Sequence, residues 1–240
     1  MKLEEDERIE DLQCQGLKII QNKNLYTFTS DSVVLANFIS TKKDDKCVEI
    51  GTGSGVISIL LSKKTSFNKI TAFEIQEEMS LLAKKNIKLN SIENKIEVIH
   101  DDIVNFEKYI QKGGVDIVFS NPPYMKEKIV GPNKVRTVAR HESSLPLETL
   151  CMVSGKMLKS GGKFFVVYGA GRTSELLVEL TKNRLEPKRM FFTENGRGKV
   201  ILCVVEAVKD GKKGINILPN LVTNDKDGRY LEELHTKYVK

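Results

Sequence analysis

The sequence predicts an α/β protein in which a mostly parallel β-sheet is covered by helices on both faces. Three observations carry that expectation. From Lys46 onward, short apolar runs of strand length alternate with longer segments of helical periodicity, and such alternation builds a parallel sheet. A glycine-rich stretch, Gly51-Thr52-Gly53-Ser54-Gly55, separates the first of those runs from the helix after it. Four successive apolar runs end in polar residues, the edge at which open α/β sheets bind ligands.

Taken in order, residues 17–20 and 25–28 flank the polar stretch 21–24 and predict a hairpin. Ser30 is expected to cap a helix carrying Val33, Val34, Ala36, Phe38 and Ile39. Core strands are expected over 47–50, 70–74, 96–99, 115–119 and 163–168. A helix opens at 56–61, and others are expected over 77–90, 147–158 and 175–183. The second of these sets Met79, Leu82, Ala83 and Ile87 on one face. Gly161-Gly162 reads as a stop for the helix before it. Two late strands, 190–193 and 200–208, are expected to pair antiparallel around Asn195-Gly196. The sum is a seven-stranded sheet with one late antiparallel strand. Residues 1–45 form an extension packed on the core, 46–210 the core domain and 211–240 a tail.

With 240 residues, 40% of them hydrophobic, the chain can bury a sizeable core. Its apolar runs stay far below membrane-spanning length: Val56-Ile57-Ser58-Ile59-Leu60-Leu61 is only six residues. A cytoplasmic monomer is expected. Cysteines at 14, 47, 151 and 203 and three histidines lack metal-ligand spacing, so no metal site is expected. Net charge is +6 and unevenly spread. Residues 1–11 hold six acids against Lys2 and Arg8, whereas Lys126, Lys128, Lys134, Arg136 and Arg140 face only Glu127 and Glu142. Positive charge beside a site favours a polyanionic partner.

The glycine turn permits close backbone approach to a ligand. Val56 stands where a dinucleotide fingerprint carries its third glycine, which weighs against a nicotinamide or flavin cofactor. Glu74 ends the second core strand and can accept both hydroxyls of a ribose. Asp101 and Asp102 end the third; Asp102 is the preferred acceptor for an adenine amine, with Asp101 in reserve. The fourth core strand runs into Asn121-Pro122-Pro123-Tyr124. There the Asn121 oxygen and the Pro122 carbonyl can accept both N–H groups of a planar amine. That restores electron density to a delocalised nitrogen. Consecutive prolines stiffen the backbone and remove competing donors, and Tyr124 can stack on the planar group. Attack on a methyl then needs alignment more than a strong base.

These motifs resemble the class I S-adenosylmethionine-dependent methyltransferases, whose Rossmann-like sheet has the expected seven strands, and the tetrapeptide resembles their amino-methylating branch. Three further stretches are similar to the bacterial tRNA(Val) adenine-37 N(6)-methyltransferase family. They are Phe28-Thr29-Ser30-Asp31-Ser32-Val33-Val34-Leu35-Ala36, Ala139-Arg140-His141-Glu142 and Asp227-Gly228-Arg229-Tyr230. The resemblance implies S-adenosylmethionine as cofactor and the anticodon stem-loop of a tRNA as partner. Asp31, Glu49, Gly51, Thr52, Gly53, Glu74, Asp101, Asp102 and Asn121 are then the cofactor-binding candidates. Asn121, Pro122 and Tyr124 are the catalytic ones. Pro123, Lys126, Lys134, Arg136, Arg140 and His141 are expected on the RNA. Asp101 stands where that family commonly has a glycine. An extruded loop adenine suits such a chain, since loop bases cost less to unstack than duplex bases. Release-factor glutamine methylation, adenine methylation of ribosomal RNA or DNA, and an inactive RNA-binding scaffold are the competing readings.

Overall fold

The computed structural model describes residues 3–124 and 145–227. It opens with an antiparallel hairpin, β1 (Glu7–Asp11) and β2 (Lys18–Asn22), followed by helix α1 (Ser30–Phe38). The main sheet then grows as β3 (Lys46–Ile50), α2 (Val56–Lys64), β4 (Lys69–Glu74), α3 (Glu77–Leu89) and β5 (Ile96–His100). A 3-10 turn over Ile103–Lys108 leads into β6 (Val115–Ser120). After residue 145 come α4 (Leu147–Met157), β7 (Leu158–Gly169), α5 (Thr173–Lys182), β8 (Leu185–Glu194) and β9 (Val200–Lys209). Two short strands, β10 (Asn216–Ile217) and β11 (Leu221–Val222), complete the order.

The spatial order is β8-β9-β7-β6-β3-β4-β5. Every pairing in it is parallel except those of β9, which runs antiparallel to both neighbours. These are the seven expected strands. β10 and β11 add to the outer edge of β8 in parallel, so the sheet has nine among the described residues.

Side chains alternate between two cores. Cys47, Ile117, Phe119 and Phe165 pack toward α1, α2 and α3, while Val48, Val118, Phe164 and Val166 pack toward α4 and α5. The central strands are therefore apolar on both faces, as a sheet covered twice requires. Each such side chain contributes roughly 1.5–3 kcal/mol of burial. Phe38 fastens α1 to the sheet through edge-on contacts with Phe165 and Phe191, at 5.8 and 5.1 Å. Among the described residues no helix is long and apolar enough to cross a membrane.

Three local expectations are corrected. The partner of β2 is Glu7–Asp11, not residues 25–28. The reversal is made by Leu12–Leu17, where Gln13, Gln15 and Gly16 have positive φ and the Leu12 and Leu17 side chains turn inward. Ser30 does not cap α1: Thr29 occupies that position without a side-chain cap, and Ser30 is the first helical residue. Gly161-Gly162 does not stop α4, which ends at Met157. Both glycines lie inside β7 where its register on β6 shifts between Val115 and Ile117, a bulge that Gly161 enters at φ 80°. The hairpin between β8 and β9 is tied by Asn195 and Gly198, whose N–H donates to the Asn195 carbonyl at 2.9 Å. Gly196 lies in that turn as expected, and a Cβ there would collide with the Asp225 carbonyl, so the chain after β11 crosses directly over it.

Candidate active site

β3 and β6 are neighbours, with Ile50 opposite Ser120, so the segments beginning at Gly51 and Asn121 leave the sheet side by side. Ser120 Oγ donates to the Ile50 carbonyl at 2.8 Å and locks the two strand ends together. On the β3 side, Gly51, Gly53 and Gly55 have φ of 70°, 57° and 86°. The chain thus turns into α2 through a region that other residues rarely enter. The Gly51 and Thr52 N–H groups both donate to the Phe73 carbonyl at 2.9 Å, fixing the turn to the end of β4. Gly53 N–H donates to Glu74 Oε2 at 2.8 Å, and Gln76 N–H to Glu74 Oε1 at 3.0 Å. Burial pushes the Glu74 carboxyl up from its ordinary value, and those backbone donors oppose the shift.

A second anchor comes from α3. Asn86, fully buried on the face of Met79, Leu82, Ala83 and Ile87, donates to the carbonyls of Ser54 and Ile20 at 3.0 Å each. Its oxygen accepts the Ile20 N–H at 2.6 Å. One side chain therefore ties the glycine turn to the N-terminal hairpin.

The tetrapeptide is held as closely. Asn121 Nδ2 donates to Ser32 Oγ at 3.0 Å, and Tyr124 OH to Asp31 Oδ2 at 2.8 Å. Burial and the Asp31 carboxylate push the Tyr124 phenol well above its ordinary value, so it stays a neutral donor. From the far side, Arg172 donates to the Tyr168 hydroxyl at 2.7 Å and to the Tyr124 carbonyl at 3.5 Å. The Tyr124 ring meets Tyr168 edge-on at 6.0 Å.

A cavity of ≈ 270 Å³ lies between these two halves. Asp31, Gly51, Gly53, Glu74, Asp101, Asp102, Asn121, Pro122, Pro123 and Tyr124 all line it. A Cβ added at Gly51 would meet nothing within 4 Å, so the space in front of that backbone is open. The two aspartates differ. Asp101 accepts from Asn105 (2.7 Å), Asp102 N–H (2.8 Å), Tyr109 (2.9 Å) and Lys108 (3.3 Å), and the Asn105 bond foremost holds its carboxyl far below the ordinary range. Asp102 caps the following 3-10 turn with Oδ1, accepting the Val104 N–H at 3.0 Å.

Glu49 and Thr52 do not line the cavity. Glu49 points the other way along β3 and accepts the hydroxyls of Thr52 (2.7 Å) and Ser58, so it braces the glycine turn from behind. Burial raises its carboxyl to about 7. Lys126, Lys134, Arg136, Arg140 and His141 lie outside the described residues, as do the stretch Ala139-Arg140-His141-Glu142 and Gly228-Arg229-Tyr230.

Sequence reasoning did not single out Ser32, Asn86 or Arg172, nor Tyr26, which also lines the cavity. Ser32 follows Asp31 directly, and Asn86 is a lone carboxamide on an apolar helical face; both are visible signals. Arg172 offers none, because only the fold brings it to Tyr124.

Comparison with known proteins adds to this geometry. A family model described as methyltransferase small domain matches residues 27–186. A protein of Dyadobacter fermentans named tRNA1(Val) (adenine(37)-N6)-methyltransferase is 24% identical over 88% of this chain and 90% of its own length. A protein of the same name from Bacteroides thetaiotaomicron is 31% identical over 74% of this chain and 79% of its own length. In fold, the chain is similar to a crystal structure described as a predicted O-methyltransferase from Agrobacterium tumefaciens. The TM-score is 0.67 at 15% identity, covering 85% of this chain and 95% of the other.

Proposed function

This chain belongs to the methyltransferase small domain family, and from that premise we propose that it methylates the exocyclic amine of adenine in tRNA, at position 37 of the anticodon loop of tRNA(Val). The observation that carries the reading is the single cleft lined by both the glycine turn with Glu74 and the tetrapeptide Asn121 to Tyr124. The name shared by the relatives above supports the substrate.

The residues of the cleft fit S-adenosylmethionine. Gly51 presents open backbone, Gly53 lines the cleft beside the Met79 methyl, and each Glu74 oxygen accepts one backbone donor with lone-pair capacity left for a ribose hydroxyl. Asp102 takes the cofactor adenine, since Asp101 is engaged by four donors of its own. Asp31 lines the same cleft. When bound, the cofactor supplies an electrophilic methyl group on sulfonium sulfur.

Asn121 Nδ2 is committed to Ser32, which leaves Oδ1 to accept one N–H of the target amine while the Pro122 carbonyl accepts the other. The pair returns lone-pair density to nitrogen and stabilises the charge it gains on attack. Tyr124 provides the stacking surface. Pro123, Lys126, Lys134, Arg136, Arg140 and His141 hold the anticodon stem-loop, and the enzyme acts as a cytoplasmic monomer.

The test offers a labelled methyl donor to total tRNA, ribosomal RNA and a peptide release factor, followed by nucleoside and amino-acid analysis. The expected product is N6-methyladenosine in tRNA(Val). Label in glutamine or in ribosomal RNA overturns the reading.

A further inference from the structure

We infer that Ser32 is a positioning residue for the transfer: its hydroxyl holds the plane of the Asn121 carboxamide so that the oxygen edge meets the incoming amine. The inference rests on the amine-methylating reading above. A carboxamide has an acceptor edge and a donor edge, and half a turn about its last bond exchanges them. Donor facing donor repels the substrate and removes one of the two accepted hydrogen bonds. The plane of the carboxamide therefore has to be held before the amine arrives.

Among the described residues, Ser32 is the holder. Asn121 Nδ2 lies 3.0 Å from Ser32 Oγ, and Ser32 is only 5% exposed, so water does not readily replace it. Ser32 is itself fixed in the first turn of α1, with its N–H on the Thr29 carbonyl at 3.2 Å. The preceding residue treats the other end of the tetrapeptide alike, Asp31 accepting Tyr124 OH at 2.8 Å. Ser120 pins the strand end to Ile50. With backbone and both flanks fixed, rotation of the carboxamide is the remaining freedom, and Ser32 restricts it to the orientations that set one amide edge on its hydroxyl. The amine completes the selection, because it is satisfied only by the oxygen.

The experiment measures methyl transfer to tRNA with labelled donor for Ser32→Ala, Ser32→Thr, Asn121→Ala and the Ser32→Ala/Asn121→Ala pair, with donor affinity by calorimetry. Ser32→Ala is expected to lower kcat about 10–100-fold while KM for tRNA and Kd for the donor stay within about 2-fold. Ser32→Thr, which keeps the hydroxyl, recovers most of the rate. Asn121→Ala alone loses at least roughly 100-fold, and adding Ser32→Ala to it costs no more than about 2-fold. An unchanged rate in Ser32→Ala overturns the inference, as does a full additional loss in the double variant or a donor Kd that moves with kcat. Should Ser32→Ala melt at assay temperature, Thr against Cys at the same position decides. An active Thr beside a slow Cys supports the role, and equal rates sink it. The wild-type arm separates the two readings. Wild-type transfer to tRNA adenine with an indifferent Ser32→Ala removes the inference alone. Wild-type transfer to glutamine removes both.

Discussion

Glu49 sits near the end of β3 with its carboxylate sealed from solvent and the hydroxyls of Thr52 and Ser58 turned onto it. Burial raises its pKa from 4.5 to about 7; the hydroxyls oppose that rise, and the charge of Glu74 adds to it. Below pH 4.5 folded and unfolded chains are both protonated there, and the contribution is flat. Between 4.5 and about 7 the folded chain keeps a proton that the unfolded chain has lost, so stability falls as pH rises through that window. Across it the loss amounts to roughly 3 kcal/mol at most. Glu49→Gln cannot titrate, so its melting temperature relative to the wild type should climb between pH 5 and pH 8. A difference that stays constant would place the proton elsewhere. The sequence showed Glu49 and Thr52 beside the glycine turn but not which way they point. The alternation of β3 sends Val48 and Ile50 to one core and Glu49 to the opposite face, onto α2.

At the level of elements, the glycine pair and the hairpins show where sequence pattern runs out. Glu7–Asp11 has no apolar face, only an acid-rich edge tied to its surroundings by Lys85–Glu7 and, at the residue before it, by Lys23–Asp6. A strand held by backbone pairing and ion pairs leaves no period-two hydrophobic signal. β8 begins at Leu185, earlier than expected, because Pro187 is tolerated at a register shift against β9. By contrast, the strands buried on both faces were legible as apolar runs, and their polar ends marked the binding edge. Gly196 belongs to the turn between β8 and β9 that the sequence predicts, and it also makes room for the chain after β11. Gly196→Ala places a methyl against the Asp225 carbonyl. It should destabilise by about 1–3 kcal/mol, read as a lowered urea midpoint, with donor affinity unchanged. An undisturbed midpoint would show that the crossing segment is loosely seated.

For the whole molecule, the charge pattern sets the expected response to salt. With an RNA substrate, affinity should fall linearly with the logarithm of salt concentration. Lys134→Glu with Arg136→Glu should flatten that slope by about 0.7–0.9 for every phosphate that is no longer neutralised, measured by filter binding of tRNA. A slope that does not change would move the phosphate-binding residues to another surface. The cleft was largely legible because the glycine turn, Glu74, Asp102 and the tetrapeptide each follow a strand. Of the residues that brace it, Ser32 beside Asp31 and Asn86 on an apolar helical face carry sequence signals, whereas Arg172 meets Tyr124 only across the tertiary fold. Strand order also bears on synthesis. β8 reaches the rest of the sheet only through β9, which lies between it and β7. A ribosome therefore delivers β8 before the strand that joins it, and the flank of β7 stays bare until residues 200–209 have emerged. A nascent chain interrupted in that interval displays an unpaired apolar edge open to aggregation, so a pause placed between the last two long strands should raise the insoluble fraction.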